Sequence, residues 1–227
     1  MEELQVRREV ITTSDGSKSI FLPELNENYH SNHGALQEAE HVFIQNGLSQ
    51  FLGNSSLVIF ELGFGTGLNA LLTLVAAEKN KISIDYVGIE AFPVEQELVQ
   101  QLAYEQLVDA QFSHFYSELH ASTWNEQNRV SEFFTLEKIH AKVENYSPRI
   151  GSVDMVYFDA FGPRAQKEMW EINILEKMFN LLKPSGILVT YCANGQFKRD
   201  LKALGFSIEV LPGPPGKREM TRATKII

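Results

Sequence analysis

Cysteine is almost missing from this chain: Cys192 is the only one in 227 residues. That excludes an intrachain disulfide and a cysteine-based zinc site, and it fits a reducing compartment. Cys192 itself follows an apolar run and reads as a small buried residue. Long apolar stretches are missing too. Each is broken by Gly, Glu or Lys well short of the roughly 20 residues a membrane span needs. The first ten residues, MEELQVRREV, are charged and carry no signal-peptide core. Nor is there a basic excess. Lys and Arg number 20 against 29 Asp and Glu, a net charge of −9. A protein basic throughout, coating nucleic acid, is thereby excluded. No G-x-S-x-G elbow supports a hydrolase. His30-Ser31-Asn32-His33 has no third ligand at convincing spacing, so no metal is expected and loop hydrogen bonding or a lid is the reading. The expectation is a soluble cytoplasmic protein.

What the chain does contain is core material. Hydrophobic residues make up 44% and aromatics 11%, enough for one domain of moderate size. Residues 1–50 are irregular, with a hairpin signal at Asp15-Gly16 and a helix-like stretch over 35–46. Then the pattern becomes regular. Residues 57–61 (LVIFE), 82–90, 133–140, 153–159 (VDMVYFD), 187–192 (ILVTYC), 206–211 and 219–227 read as seven strands. Helices are expected over 68–78, 95–104, 167–182 and 195–204. Residues 105–131 are polar and ambiguous, and Lys183-Pro184-Ser185-Gly186 reads as a turn. Strand–helix alternation implies a parallel sheet covered on both faces, and the last two strands close it antiparallel. The expected fold is α/β and Rossmann-like: a mostly parallel seven-stranded sheet with a C-terminal antiparallel hairpin. Residues 51–227 form its domain, and residues 1–50 are an extension packed on it, a hairpin and lid.

The first strand runs into Glu61-Leu62-Gly63-Phe64-Gly65-Thr66-Gly67 and then a helix. Glycines there let the backbone turn sharply and approach a ligand. The dinucleotide pattern G-x-G-x-x-G/A would need Gly or Ala at 68, where Leu68 stands, so a nicotinamide dehydrogenase is disfavoured. Acidic-x-G-x-G-x-G is the first motif of class I S-adenosylmethionine methyltransferases. In that reading the turn cradles the cofactor's methionine part, and Glu61 faces its charged end. Glu90 ends the second strand, 23 residues after Gly67, where a carboxylate accepts from both ribose hydroxyls.

Asp159 ends the fourth strand, at the sheet edge where α/β folds bind ligands. Ala160, Phe161, Gly162 and Pro163 follow. Amino-group methyltransferases place a short polar residue and then an aromatic at this point. The first holds the amine and the second packs on the base or cofactor. An alkylamine near 10.4 is neutral only to about 10⁻³ at pH 7, so some group must accept a proton or aim the lone pair. Asp159 suits that task, although a bare carboxylate also favours the ammonium. Asp154, at the start of the same strand, reads as a surface residue. Tyr191 reads as core packing near the site edge.

The stretches ELGFGTGLNALL, VGIEAFP, DAFGPRAQKEMW, LKPSGILVTYCANGQFKRDLKALGF and PGKREM, with the opening DG…YHSNHGALQEAEHVF, resemble one family. It is the methyltransferase domain of MnmC, the bifunctional tRNA wobble-uridine modification protein. The resemblance runs from about residue 5 to the end. It implies methyl transfer from S-adenosylmethionine to the exocyclic amine of 5-aminomethyl-2-thiouridine at the tRNA wobble position. It implies cofactor roles for Glu61, Gly63, Phe64, Gly65, Gly67, Glu90 and Asp159, and catalytic roles for Asp159 and Phe161. Pro163, Arg164, Trp170, Lys217 and Arg218 fall to the tRNA side. The family's FAD-dependent oxidase domain is absent from the sequence, so a stand-alone form is expected, with a separate enzyme supplying the aminomethyl group. Ala141-Lys142 stands where the family often has Gly-Asp for adenine, leaving that contact to backbone or Glu144. Gln166-Lys167 replaces the family's Asn-Pro.

Charge is unevenly spread. The last 36 residues carry +4 and the first 191 carry −13. With Arg164 and Lys167 they form a candidate phosphate-facing surface, Lys217-Arg218 its best point. Three readings stay open beside the tRNA enzyme: a methyltransferase on a small-molecule amine, an aminopropyl transferase on such an amine, and a non-catalytic cofactor-binding protein.

Overall fold

A computed structural model describes residues 7–147 and 149–226. The order of elements is β1 (Glu9–Thr12), β2 (Lys18–Leu22), β3 (Glu27–Asn28), α1 (Ala35–Ala39), β4 (Ser56–Leu62), α2 (Leu68–Asn80), β5 (Ser83–Glu90), α3 (Gln96–Leu102) and α4 (His114–Ala121). It continues with β6 (Gln127–Arg129), β7 (Phe134–His140), β8 (Val153–Phe158), α5 (Ile172–Leu181), β9 (Leu182–Thr190), α6 (Gly195–Leu204), β10 (Phe206–Pro212) and β11 (Glu219–Lys225). Ile227, the end of the last expected strand, lies outside the described residues.

The main sheet runs β10-β11-β9-β8-β4-β5-β7-β6. β4, β5, β7, β8 and β9 are parallel, and β10 and β11 close one edge antiparallel. All seven expected strands are present. The eighth, β6, pairs antiparallel with β7 at the other edge. It is three polar residues long, too short for a period-2 signal. Residues 9–28 form a separate three-stranded antiparallel sheet, and its first hairpin turns around Asp15-Gly16. Two differences are local. α1 continues as a π-helical turn over Glu40–Gln45. The Lys183–Gly186 turn sits inside the start of β9, where the register against β8 slips and Ser185 has φ 65°.

Strand residues alternate between two cores, as period-2 geometry requires. Ile59, Met155 and Tyr157 pack toward α1, α2 and α4, while Phe60, Val156 and Phe158 pack toward α5 and α6. α5 buries Ile174, Leu175, Met178 and Leu181, one helical stripe. Asn194 caps α6 by accepting from the Gln196 and Phe197 amides, and Gly205 ends it. Asp154 is not a free surface acid. Lys183 grips both its oxygens at 2.8 Å, and one also accepts from the Val58 amide. In residues 105–131, α4 buries Phe115, Tyr116 and Leu119, a one-turn apolar stripe in a polar stretch.

The chain leaves β4 for β5 and β7 on one side, then returns to β8 and β9 on the other. The reversal opens a crevice at the carboxyl ends of β4 and β8. Backbone bonds lace those ends together. The Gly63 and Phe64 amides donate to Ile89, the Asp159 amide to Leu62, and the Ala141 amide to Glu90. Under the crevice, Gly88 lets Phe64 lie on β5; a Cβ there would sit 2.6 Å from the Phe64 ring. Gly88→Ala is therefore expected to cost about 1–3 kcal/mol by overpacking, read as a fall in Tm of several degrees in a thermal melt.

Candidate active site

One cavity of about 1110 Å³ opens at the crevice. That exceeds the roughly 300–1,000 Å³ of ordinary small-molecule sites, leaving room for a nucleoside and a second reacting group. One end is walled by Glu90, Phe92 and residues 140–144, the other by Asp159, Phe161, Tyr191, Glu38 and Lys217. Segments 27–32 from the N-terminal sheet line it as well.

The glycine turn forms the floor. Gly63, Gly65 and Gly67 have φ of 91°, 50° and 73°, which side chains with a Cβ rarely adopt. A Cβ on Gly63 would also lie 2.6 Å from the Asp159 carbonyl. Glu90 accepts from the Gly65 and Phe92 amides, both at 2.9 Å, so its carboxylate is fixed at the cavity wall with acceptor capacity to spare. The Phe64 ring is buried, 3% exposed, beneath the cavity. It packs edge-on against His120 and Trp124, with the Lys138 ammonium 5.9 Å from its centroid.

Glu61 departs from its expected place. It is fully buried and is not among the cavity's lining residues. Its Oε1 accepts from Asn69 at 2.9 Å, and its Oε2 has no partner. Burial pushes its carboxyl well above the usual range, and the neighbouring Asp159 charge adds to this. Asp159 lines the cavity and is half-buried. Its Oδ2 accepts from the same Asn69 amide at 2.8 Å. Burial, then the Glu38 charge, raise Asp159 to about 7, against the pull of the Asn69 hydrogen bond and Lys217.

The Asp159 loop is braced from three sides. Tyr191 donates to the Ala160 carbonyl at 2.8 Å, Trp170 Nε1 to the Phe161 carbonyl at 2.7 Å, and the Phe161 amide to Gln166 at 3.2 Å. Phe161 meets Tyr29 edge-on, with centroids 5.1 Å apart. Tyr191 thus packs and also lines the cavity.

Trp170 does not face solvent. It is 7% exposed, against Phe158 and Phe197, and holds the loop from behind. Lys217 is spoken for: it pairs with buried Glu38 and lies 3.5 Å above the Tyr191 ring. Arg222 pairs with Glu209, Lys198 with Glu219, and Lys225 donates to two backbone carbonyls. The C-terminal positive charge is thus largely committed to the scaffold. Arg218 is 94% exposed with a loose 3.9 Å ion pair to Glu219, and Arg164 is 76% exposed with an ion pair to Glu27. Pro163 is half-buried beside Arg164.

Sequence reasoning missed Asn69, Glu38 and Tyr29. Asn69 lies inside the GLNALL stretch as the second residue of α2, and its place directly after the glycine turn is the signal that could have found it. His30 is held by Ser19 at 2.9 Å, and burial lowers it to about 4. Among the described residues no group of three His, Cys, Asp or Glu could hold a metal ion, and no helix is long and apolar enough to cross a membrane.

A family model described as S-adenosyl-L-methionine-dependent methyltransferase matches residues 99–226. The tRNA 5-methylaminomethyl-2-thiouridine biosynthesis bifunctional protein MnmC of Cupriavidus necator is 33% identical over 218 residues, covering 90% of this chain and 32% of that protein. The protein of the same name from Pseudoalteromonas atlantica is 32% identical, covering 85% and 30%. The chain spans about a third of the length of these curated relatives. Among solved structures, MNMC2 from Aquifex aeolicus superposes with a TM-score of 0.76 at 20% identity, covering 97% of this chain and 70% of that one. The CurJ carbon methyltransferase gives 0.50 at 15% identity, covering 88% and 57%. Both likenesses place the fold.

The buried carboxyl makes stability depend on pH. Asp159 ionises near 3.8 in the unfolded chain and near 7 in the fold. Its contribution is fully present below about 4 and is lost as pH rises to about 7. Asp159→Asn removes that loss. The variant's Tm advantage over the parent should grow from near zero at pH 4 to a plateau above pH 7. The gain is expected at about 4 kcal/mol, measured by scanning calorimetry at several pH values.

Proposed function

From the premise that this chain belongs to the S-adenosyl-L-methionine-dependent methyltransferase family, we propose that it methylates the exocyclic amine of 5-aminomethyl-2-thiouridine at the wobble position of tRNA. One observation carries the amine chemistry. A single cavity joins the glycine turn and Glu90 to a carboxyl group raised to about 7. The tRNA part is supported by the tRNA-modification names of relatives about 30% identical over most of this chain. A tRNA substrate places the enzyme's work in the cytoplasm.

The residues present fit the cofactor. Positive-φ glycines give a floor that a Cβ would obstruct, and Glu90 stands where ribose hydroxyls would donate. Backbone of residues 140–144 is left for adenine, with Glu144 within the same wall. When bound, S-adenosylmethionine supplies an electrophilic methyl group. The protein's task is then to present a neutral amine in line with it. An ordinary carboxyl lies more than six logarithmic units below an alkylammonium; at about 7 the gap is roughly three. Asp159 is accordingly a far better proton acceptor than an exposed aspartate, and it over-stabilises the ammonium less. Burial thus answers the objection to a bare carboxylate. Phe161 and Tyr29 form the apolar wall that excludes water beside the amine.

Within the N-terminal extension of residues 1–50, the described residues 7–50 serve as the lid over this chamber, residues 1–6 lying outside the described part. Glu27–Arg164, Tyr29–Phe161 and Glu38–Lys217 fasten it to the substrate loop and the terminal hairpin. The supply of aminomethyl groups by a separate enzyme belongs to the same proposal. The phosphate-facing surface narrows to exposed Arg218 and Arg164, with Lys217 committed to Glu38.

Mass spectrometry of wobble nucleosides from a deletion strain tests the function. Accumulated aminomethyl-thiouridine is expected; unchanged nucleosides would reject the tRNA reading. Asp159→Ala should lower turnover by at least about 10²-fold while S-adenosylmethionine still binds in a calorimeter. Arg218→Glu should weaken tRNA binding, cut the salt slope by about 1 and leave Tm unchanged. Lys217→Glu, set against buried Glu38, should instead lower Tm.

A further inference from the structure

Glu61, the acid that opens the glycine motif, stops short of the cavity, and Asn69 stands between. Asn69 Nδ2 donates to Glu61 Oε1 at 2.9 Å and to Asp159 Oδ2 at 2.8 Å. An amide nitrogen has two hydrogens, so both are spent on the two carboxyl groups. Turning the amide over would set Asn69 Oδ1 against both carboxyl oxygens, so the acids fix its orientation. Asn69 is 3% exposed, lines the cavity, and its Oδ1 has no partner. With Oδ2 committed to Asn69, Asp159 Oδ1 is the oxygen left to the cavity.

We propose that Asn69 is a positioning residue for Asp159: it takes one carboxyl oxygen, aims the other at the amine, and is held in place by Glu61, which acts through Asn69 and does not touch the cofactor. The inference rests on Asp159 as the partner of the substrate amine. Glu61 suits this anchoring role because burial pushes it toward its neutral form, and an amide can accept the same hydrogen bond.

The charged and titratable groups facing Asp159 are Glu61 on β4, Tyr86 on β5, Glu38 on α1, Tyr191 after β9 and Lys217 before β11. Lys217 is the one cation in that set, and it is already paired with Glu38. Asn69 supplies the side-chain hydrogen bond that favours the ionised carboxyl. Removing it leaves burial and Glu38 less opposed.

Two measurements test the inference without tRNA. The Asp159 carboxyl carbon is followed by ¹³C NMR from about pH 5 to 9, and S-adenosylmethionine affinity is read by calorimetry. Asn69→Ala should raise the Asp159 midpoint from about 7 to about 8. Glu61→Gln should keep the parental midpoint and hold cofactor affinity within about twofold. A midpoint unmoved by Asn69→Ala overturns the inference. So does a tenfold or greater loss of cofactor affinity in Glu61→Gln, which would put a charged Glu61 on the cofactor. Asn69→Ser, too short to span both carboxyls, stands in if Asn69→Ala does not fold. Failure of methyl transfer to tRNA would reject the function while leaving both of these readouts intact, so the two failures are distinguishable.

Discussion

Everything at the site depends on how closely β4 and β8 finish. The backbone leaves β4 through Gly63, and the Asp159 carbonyl lies so near that a Cβ at Gly63 would come within 2.6 Å of it. That approach needs a residue without a side chain and with φ of 91°. It sets the start of α2 over the end of β8, which places Asn69 against Asp159. The same turn receives Glu90 through the Gly65 amide. A steric allowance at one position thus brings Glu90 and Asp159 into one chamber.

The second constraint is electrostatic. Asp159 and Glu61 both lie where water is scarce, and each is pushed toward its neutral form. In most proteins such a pair would be a liability, because two adjacent buried carboxylates repel. Here one amide bridges them, and Lys217 offsets the nearby charge of Glu38. The residual tension falls on Asp159, whose carboxyl is raised to about 7 and so exchanges its proton near neutral pH. Stability given up at this point is offset by the apolar cores on the two sheet faces.

The sheet was legible because continuous apolar runs such as LVIFE and VDMVYF mark strands covered on both faces. β6 and α4 were not, since a three-residue polar strand and a two-turn helix carry almost no periodic signal. Gly63, Glu90 and Asp159 could be read from motif and position. Glu61 could be read as part of the motif but not as a buried anchor, because nothing in its spacing says which way its side chain turns. Glu38 and Lys217 are 179 positions apart, and only the folded chain brings them together. Trp170 and Lys217 carried the residue types of a nucleic-acid contact, yet local packing claimed both, one by an indole hydrogen bond and the other by an ion pair.

The Glu38–Lys217 contact has a consequence for how the protein is made. One wall of the chamber comes from the first forty residues and its closing partner from the turn before β11, so no shorter nascent chain can shut it. Glu38 on α1 must wait on the ribosome, through the making of the whole parallel sheet, for Lys217 to emerge. Contacts of such sequence separation form slowly, because loop closure precedes their reward. Closure of this wall therefore waits on the synthesis of the parallel sheet, and a product that stops before Lys217 carries the glycine turn without the Glu38–Lys217 contact.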